Sequence, residues 1–188
     1  MLLYVNGDEL SGGACAINDF VCASDDIHYT ASGNKSHPDN IMHSYGYYLS
    51  KMLNLGYRCE AKQQDSNLDI YNSVIHFVEK ILPTLRSQYT VIVVGWMPDP
   101  KVDLLNTLAD ILTHHNIDYA FFNTKKPLQK SAQLAFKNCI DLTNKNECLL
   151  TWCKNNGHEV KNNKYPDANS HNAWAKYMFN RLTDHQLL

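Results

Sequence analysis

The chain has 188 residues, 44% of them hydrophobic, and its 17 basic and 19 acidic side chains leave a formal net charge of −2. This length and apolar content predict a single domain, residues 1–188, with a core of its own. Because the two kinds of charge nearly balance, no strong field exists to attract a phosphate backbone or an anionic membrane. We therefore expect neither nucleic acid nor a membrane as the main partner.

The N-terminal segment, residues 1–5, is a short apolar run that ends at Asn6-Gly7-Asp8. It is too short and lacks the basic flank of a signal peptide, so it predicts a buried strand followed by a turn. No other segment reaches the ~20 apolar residues that a membrane crossing needs. A chain without an export signal keeps its thiols reduced, so we expect the six cysteines to be reduced and mostly buried.

Short apolar runs alternate with helical patterns along the rest of the chain. Further strands are predicted at residues 57–61, 89–95 and 117–122. Apolar side chains recur at three and four residues in two segments, residues 70–85 and 104–112, which predicts a helix in each. This alternation predicts an α/β fold, a three-layer α/β/α sandwich with a mostly parallel central sheet.

Parallel sheets bind their ligands beyond the carboxyl ends of the strands. The loops predicted to reach that edge are residues 6–13, 62–67 and 95–101, so functional residues are expected there. Two other stretches are polar. Residues 23–40 predict a functional lid or a plain surface excursion, and residues 123–131 predict a solvated connection.

Several blocks of the sequence resemble the SGNH (GDSL-like) hydrolases. The strand that ends in Gly7-Asp8 resembles the first block of that family, in which the residue after the aspartate is the nucleophilic serine. Residues 37–53 and 61–67 resemble the helix and the second block of SGNH-like proteins of tailed phages, including those of cyanobacteria. Residues 165–171 resemble the last block before the terminal helix. The resemblance implies an SGNH-hydrolase or flavodoxin-like sandwich, and a phage protein located in the host cytoplasm or on the virion.

The resemblance places unsuitable residues at the catalytic positions of the family. Glu9 takes the place of the serine, Gln64 that of the oxyanion glycine, and Tyr165 that of the histidine before proline, with Asn162 where its aspartate would lie. Acyl transfer needs a nucleophile, a base and donors for the oxyanion. We therefore expect a catalytically degenerate domain that binds a small-molecule or glycan ligand or phage structural proteins, or that serves a structural role.

The alternative is an active hydrolase of a small acyl or O-acetyl ester, with a non-standard constellation in the same crevice. Its candidate catalytic residues are Asp8, Glu9, Ser11, Asn67, Asp167 and His171. Ser11 could pair with His171 and Asp167, because histidine is the usual base for a serine nucleophile. Against this, Glu9 at a helix start would also interact with the exposed N–H groups there, and Asp8 would cap the same turn.

Carboxylates are frequent at the predicted ligand edge. Asp8, Glu9, Asp65 and Asp99 all follow strands, and converging carboxylates could hold Mg²⁺ or Ca²⁺. Asp99 followed by Pro100 also predicts an N-cap and first residue for the next helix. No cofactor is expected, and a metal site remains the open alternative for these acids.

Overall fold

Four parallel strands form the central sheet. The structure is a computed structural model that describes residues 1–63, 66–85, 89–126 and 148–184. The strands are β1 (Leu2–Gly7), β2 (Gly56–Cys59), β3 (Thr90–Trp96) and β4 (Asp118–Asn123). Their order in the sheet is β2-β1-β3-β4, and each neighbouring pair is parallel. The strands predicted from the apolar runs are confirmed.

Helices cover both faces of this sheet. They are α1 (Pro38–Ile41), α2 (Tyr45–Met52), α3 (Asn67–His76), α4 (Val102–His114), α5 (Leu149–Asn155) and α6 (Ala168–Asp184). α2, α5 and α6 pack on one face, in the apolar cluster that contains Leu3 and Val5 of β1. α3 and α4 pack on the other face, in the cluster that contains Tyr4. The three-layer α/β/α sandwich is therefore confirmed. A separate hairpin joins β5 (Val160–Lys161) to β6 (Tyr165–Pro166).

β1, β3 and β4 are buried on both faces, because helices cover both sides of the sheet and successive side chains of a strand point to opposite sides. Val91 and Val93 of β3 belong to one cluster, whereas Ile92 and Val94 belong to the other. All four are buried. Burial on both faces explains why these strands appear in the sequence as continuous apolar runs.

The helix predicted over residues 70–85 is present, but its last turns are not α-helical. A π-helical turn (Phe77–Ile81) and a 3₁₀ turn (Leu82–Thr84) follow α3. Pro83 lies in the last of these turns. Proline lacks the N–H that a continuing helix requires, so regular helix ends there.

The start of α4 differs from the prediction. Its N-cap is Lys101, and the helix begins at Val102, so the predicted N-cap at Asp99 is wrong. Asp99 instead adopts a positive φ of 56° and is exposed. The end of the helix follows the sequence pattern, because α4 ends at His114 and His115 is its C-cap.

The polar stretch over residues 23–40 folds around a buried imidazole. His37 is 1% exposed, and its Nε2 lies 3.2 Å from Oδ2 of Asp26. Its Nδ1 accepts a hydrogen bond from the backbone N–H of Asp39 at 3.2 Å. The ring packs against Phe20 and Tyr29, with centroid separations of 5.1 and 5.0 Å. This stretch is an ordered wall beside the end of β2.

The described cysteines match the prediction of reduced and mostly buried thiols. The five described cysteines are free thiols, and all except Cys59 are buried. Cys139 lies outside the described residues. Within the described residues, no helix is long and apolar enough to cross a bilayer.

Candidate functional site at the carboxyl edge of the sheet

The crevice of this fold lies between the carboxyl ends of β1 and β3. The chain leaves β1 toward β2 on one side of the sheet and leaves β3 toward β4 on the other. Such a switch point is the usual ligand crevice of an open parallel sheet. The turn after β1 sits over it and is closed by a hydrogen bond from the N–H of Ser11 to the carbonyl of Asp8 at 3.0 Å.

Asp8 is fully buried in this turn. Its Oδ1 accepts hydrogen bonds from the N–H groups of Leu10 at 3.2 Å and Ser11 at 3.4 Å. Its Oδ2 accepts the hydroxyl of Thr124 at 2.7 Å. As the sequence predicts, the side chain caps its turn, and it also joins β1 to the chain that leaves β4.

Two carboxylates share one lysine here. Nζ of Lys125 lies 2.8 Å from Oε1 of Glu9 and 3.3 Å from Oδ2 of Asp8. Asp8 is 0% exposed, Glu9 is 7% exposed and the Lys125 side chain is 23% exposed. We call this group the Asp8–Glu9–Lys125 cluster. Lys125 therefore does not belong to a merely solvated connection, and the prediction for residues 123–131 is wrong at Thr124 and Lys125.

The electrostatics of the cluster follow from its burial. Burial and the charge of Glu9 raise the pKa of Asp8 to about 6, against the opposing effects of Lys125 and Thr124. Burial lowers the pKa of Lys125, but the two carboxylates outweigh it and raise that pKa above its ordinary value. At neutral pH Asp8 is therefore mostly ionised beside the protonated Lys125.

Ser11 fills the floor of the crevice. A Cβ added at Gly7 or at Gly95 would collide with the Ser11 side chain, so the two glycines leave the space that the serine occupies. Ser11 is 0% exposed. Its hydroxyl has no hydrogen-bond partner among the described residues, and burial raises the pKa of Tyr45 well above the ordinary value. A buried hydroxyl in this position packs the crevice and is not presented to a substrate.

His171 lies in the core behind the crevice. Its Nδ1 accepts a hydrogen bond from the N–H of Tyr45 at 3.3 Å, and the two rings stack. The neutral imidazole therefore carries its proton on Nε2, which has no partner among the described residues. Burial lowers the pKa of His171 to about 4, against the charge of Asp167.

Asp167 acts as a helix cap. Its Oδ1 accepts the N–H of Ser170 at 2.8 Å and the hydroxyl of Ser170 at 2.6 Å. The N–H of Tyr45 occupies Nδ1 of His171, the nitrogen that a triad aspartate would orient, and Nε2 of His171 and Oγ of Ser11 have no hydrogen-bond partner among the described residues. The predicted arrangement of Ser11, His171 and Asp167 as a triad is not formed.

Asn67, the first residue of α3, ties that helix to the loop after β3. Its Oδ1 accepts the N–H of Met97 at 2.9 Å. Its Nδ2 donates to the carbonyls of Met97 at 3.3 Å and Pro98 at 3.4 Å. The side chain thus positions one rim of the crevice.

Replacing Asn67 by alanine is expected to lower the free energy of unfolding by about 1–2 kcal/mol, because the N–H of Met97 loses its only side-chain acceptor among the described residues. Asn67→Asp is the matched control, because a carboxylate oxygen keeps that acceptor while the donors are lost. Urea denaturation of both variants measures the difference. Equal destabilisation by alanine and aspartate would contradict a role for the Met97 bond.

The three described acids among the predicted metal ligands, Asp8, Glu9 and Asp99, do not assemble into a metal site. Among the described residues, no three His, Cys, Asp or Glu side chains come together as a metal site. Asp8 and Glu9 face Lys125, and Asp99 is exposed. Asp65, like Gln64 at the oxyanion position, lies outside the described residues.

The structure also shows the two residues that stand in place of the family's catalytic histidine and its aspartate. Tyr165 is buried in β6, and Asn162 is exposed in the turn that precedes it. Neither side chain can accept a proton from a nucleophile at neutral pH. Neither of these two positions therefore carries an equivalent of the family histidine.

Two further polar groups are buried without partners at this edge. Trp96 and Asn123 are paired across β3 and β4. Nε1 of Trp96 and both side-chain polar atoms of Asn123 have no hydrogen-bond partner among the described residues. Such groups are rare in native proteins, and departures from polar satisfaction concentrate at functional sites.

Solved structures share this architecture. A protein described as lipolytic and of the G-D-S-L family, from Desulfitobacterium hafniense DCB-2, matches with a TM-score of 0.50 and 11% identity over 96% of this chain and 99% of that chain. A carbohydrate esterase family 2 enzyme with a carbohydrate-binding domain, from Corynascus thermopiles (Myceliophthora fergusii), matches with a TM-score of 0.58 and 12% identity. That match covers 98% of this chain and 66% of the esterase chain. The chain has an SGNH-hydrolase-like fold.

At 11% and 12% identity, the likeness extends to the SGNH-hydrolase-like fold alone. No protein-family model and no curated protein matches the sequence. The chemistry of this SGNH-like chain has to be argued from its own residues.

Proposed function

We propose that this chain is an SGNH-like domain that binds a ligand and does not hydrolyse esters. The observation that carries the proposal is the 2.8 Å bond between Glu9 and Lys125. Glu9 stands where the resemblance places the serine nucleophile. A carboxylate held by an ammonium is a weak nucleophile, because attack would break the ion pair in a largely buried site.

The absence of a histidine bonded to Ser11 among the described residues supports the same conclusion. In the usual triad a histidine within hydrogen-bond reach activates the serine, with its other nitrogen oriented by a third group. His171 is the only histidine of the last block, and its Nδ1 is occupied by the N–H of Tyr45. A role in a tailed phage, in the host cytoplasm or on the virion, rests on the resemblance of residues 61–67 and belongs to this proposal.

An active hydrolase is the competing function, and an assay separates the two. We expect release of p-nitrophenol from p-nitrophenyl acetate and butyrate to be the same for the parent protein and for Glu9→Gln, Ser11→Ala and His171→Gln. Slow release that all four share reflects acylation of surface side chains. Circular dichroism of each variant checks that it is folded. Turnover that disappears in one folded variant would mean that the crevice is catalytic and that the proposal is wrong.

A further inference from the structure

A cavity of about 250 Å³ lies beside the crevice. It opens between the wall that is folded around His37 and the carboxyl end of β2. The residues that line it are Ala23, Ser32, Lys35, Ser36, Pro38, Ile41, Cys59, Glu60, Ala61 and Lys62. None of the Asp8–Glu9–Lys125 cluster is among them, so this space is distinct from the position of the family nucleophile.

The walls of the cavity are held in place by hydrogen bonds. Lys35 and Lys62 are bridged as antiparallel neighbours. The hydroxyl of Ser36 donates to the carbonyl of Ala61 at 2.8 Å, and the N–H of Ala23 donates to the carbonyl of Lys35 at 2.7 Å. A site fixed before the ligand arrives loses little entropy on binding.

The charge that lines the cavity is positive. Among the described residues, no carboxylate lies within ion-pair distance of Lys35 or Lys62. Glu60 also lines the cavity, but Oε1 of Glu60 accepts hydrogen bonds from Arg58 at 3.0 and 2.6 Å. The one acid of the lining is therefore neutralised, and the two lysines have no carboxylate partner in the part of the chain that the structure describes.

The other surfaces are apolar or carry hydroxyl groups. Ala23, Pro38 and Ile41 supply hydrocarbon, and Ser32 supplies a hydroxyl. Ligand sites typically combine an apolar lining with a few polar groups that fix orientation. Two lysines in a lining that also supplies hydrocarbon fit a molecule with an anionic group and a compact apolar body.

We propose that this cavity binds a small organic anion, a carboxylate or a phosphate monoester, with Lys35 and Lys62 at the anionic group. The proposal rests on the proposed ligand-binding function and names its site and its class of ligand. Lysine binds such groups as a point charge, so either anion is accommodated.

Calorimetric titration with benzoate, phenyl phosphate and neutral benzamide tests the site. We expect both anions to bind with saturation and benzamide to bind about tenfold more weakly or not at all. Lys35→Gln and Lys62→Gln should each weaken benzoate binding by about fivefold to tenfold. Lys176→Gln is the matched control, since Lys176 is an exposed lysine of α6 that does not line the cavity.

A variant that keeps every charge tests the location. Ser32→Phe places a ring in the half-buried lining and should abolish benzoate binding, whereas Thr107→Phe on an exposed surface of α4 should not. Three results would each overturn the inference: no saturable binding of either anion, equal binding of benzamide, or lysine variants that match Lys176→Gln. Ester turnover in the assay above would instead overturn the proposed function, whether or not anions bind.

Discussion

Replacing Lys125 by methionine is expected to lower the free energy of unfolding at pH 7 by about 3 kcal/mol. Methionine keeps an unbranched apolar chain but removes the ammonium that lies 2.8 Å from Glu9 and 3.3 Å from Asp8. Asp8 is 0% exposed, so its charge would be left buried with no cation beside it. Removing one partner of a buried ion pair is far more destabilising than the net contribution of the pair itself, because the other charge stays desolvated. Urea denaturation at pH 7 measures the loss.

The neighbouring lysine provides the control for this variant. Lys126 is exposed, so Lys126→Met removes the same charge and should change the free energy of unfolding by less than about 0.5 kcal/mol. Lowering the pH to 5 should recover much of the stability of Lys125→Met, because Asp8 then takes up a proton and is no longer charged. If the two methionine variants were equally stable at pH 7, the ammonium of Lys125 would not be compensating Asp8.

The fold could be predicted from the sequence because its signals are local. β1, β3 and β4 are buried on both faces, so β3 appears as an unbroken apolar run, and α4 shows its core face at three- and four-residue spacing. The rule that parallel strands present their carboxyl ends at one edge then placed Asp8, Glu9 and Asn67 near each other. These are consequences of period and direction, which a single sequence contains.

The partners at the site could not be predicted in the same way. Thr124 and Lys125 each meet their carboxylate partner across 116 positions of the chain, and they lie in a segment whose composition is typical of a loop. The one available signal was their position directly after β4, at the carboxyl edge of the sheet. If the loop after the fourth strand had been counted among the loops at that edge, these two residues would have been included.

The predicted triad failed for a different physical reason. Whether Ser11 and His171 are exposed depends on packing by residues far away in the sequence, here the backbone of Tyr45, 126 positions from His171. Both side chains are 0% exposed. Burial of this kind turns a candidate nucleophile and base into packed polar groups, and residue type gives no sign of it.

Asp8 and His171 are displaced from their ordinary pKa values in opposite senses. The pKa of Asp8 is raised from 3.8 to about 6, and that of His171 is lowered from 6.5 to about 4. Because its pKa is raised, Asp8 contributes stability that is complete below about pH 4 and is lost as the pH rises through 6. Because its pKa is lowered, His171 contributes stability that is complete above about pH 6.5 and is lost as the pH falls through 4. Each contribution is about 3 kcal/mol for a shift of about two units, so together they nearly cancel.

In the parent protein the two pH dependences of the unfolding free energy nearly cancel, so each should become measurable in a variant that lacks the other titrating group. Relative to the parent, Asp8→Asn should gain about 3 kcal/mol of unfolding free energy between pH 4 and 6.5, and His171→Gln should lose about as much. Asparagine keeps the shape of the aspartate side chain, and its Oδ1 can still accept the N–H groups of Leu10 and Ser11. Urea denaturation across this range measures both, and differences taken at each pH cancel the titration of carboxylates that do not interact with Asp8 or His171. The double variant should return to the parent profile, because the two slopes have opposite signs and add where the sites are independent. A profile of Asp8→Asn that runs parallel to the parent would mean that the Asp8 carboxylate titrates normally, and the cluster would then not be a desolvated one.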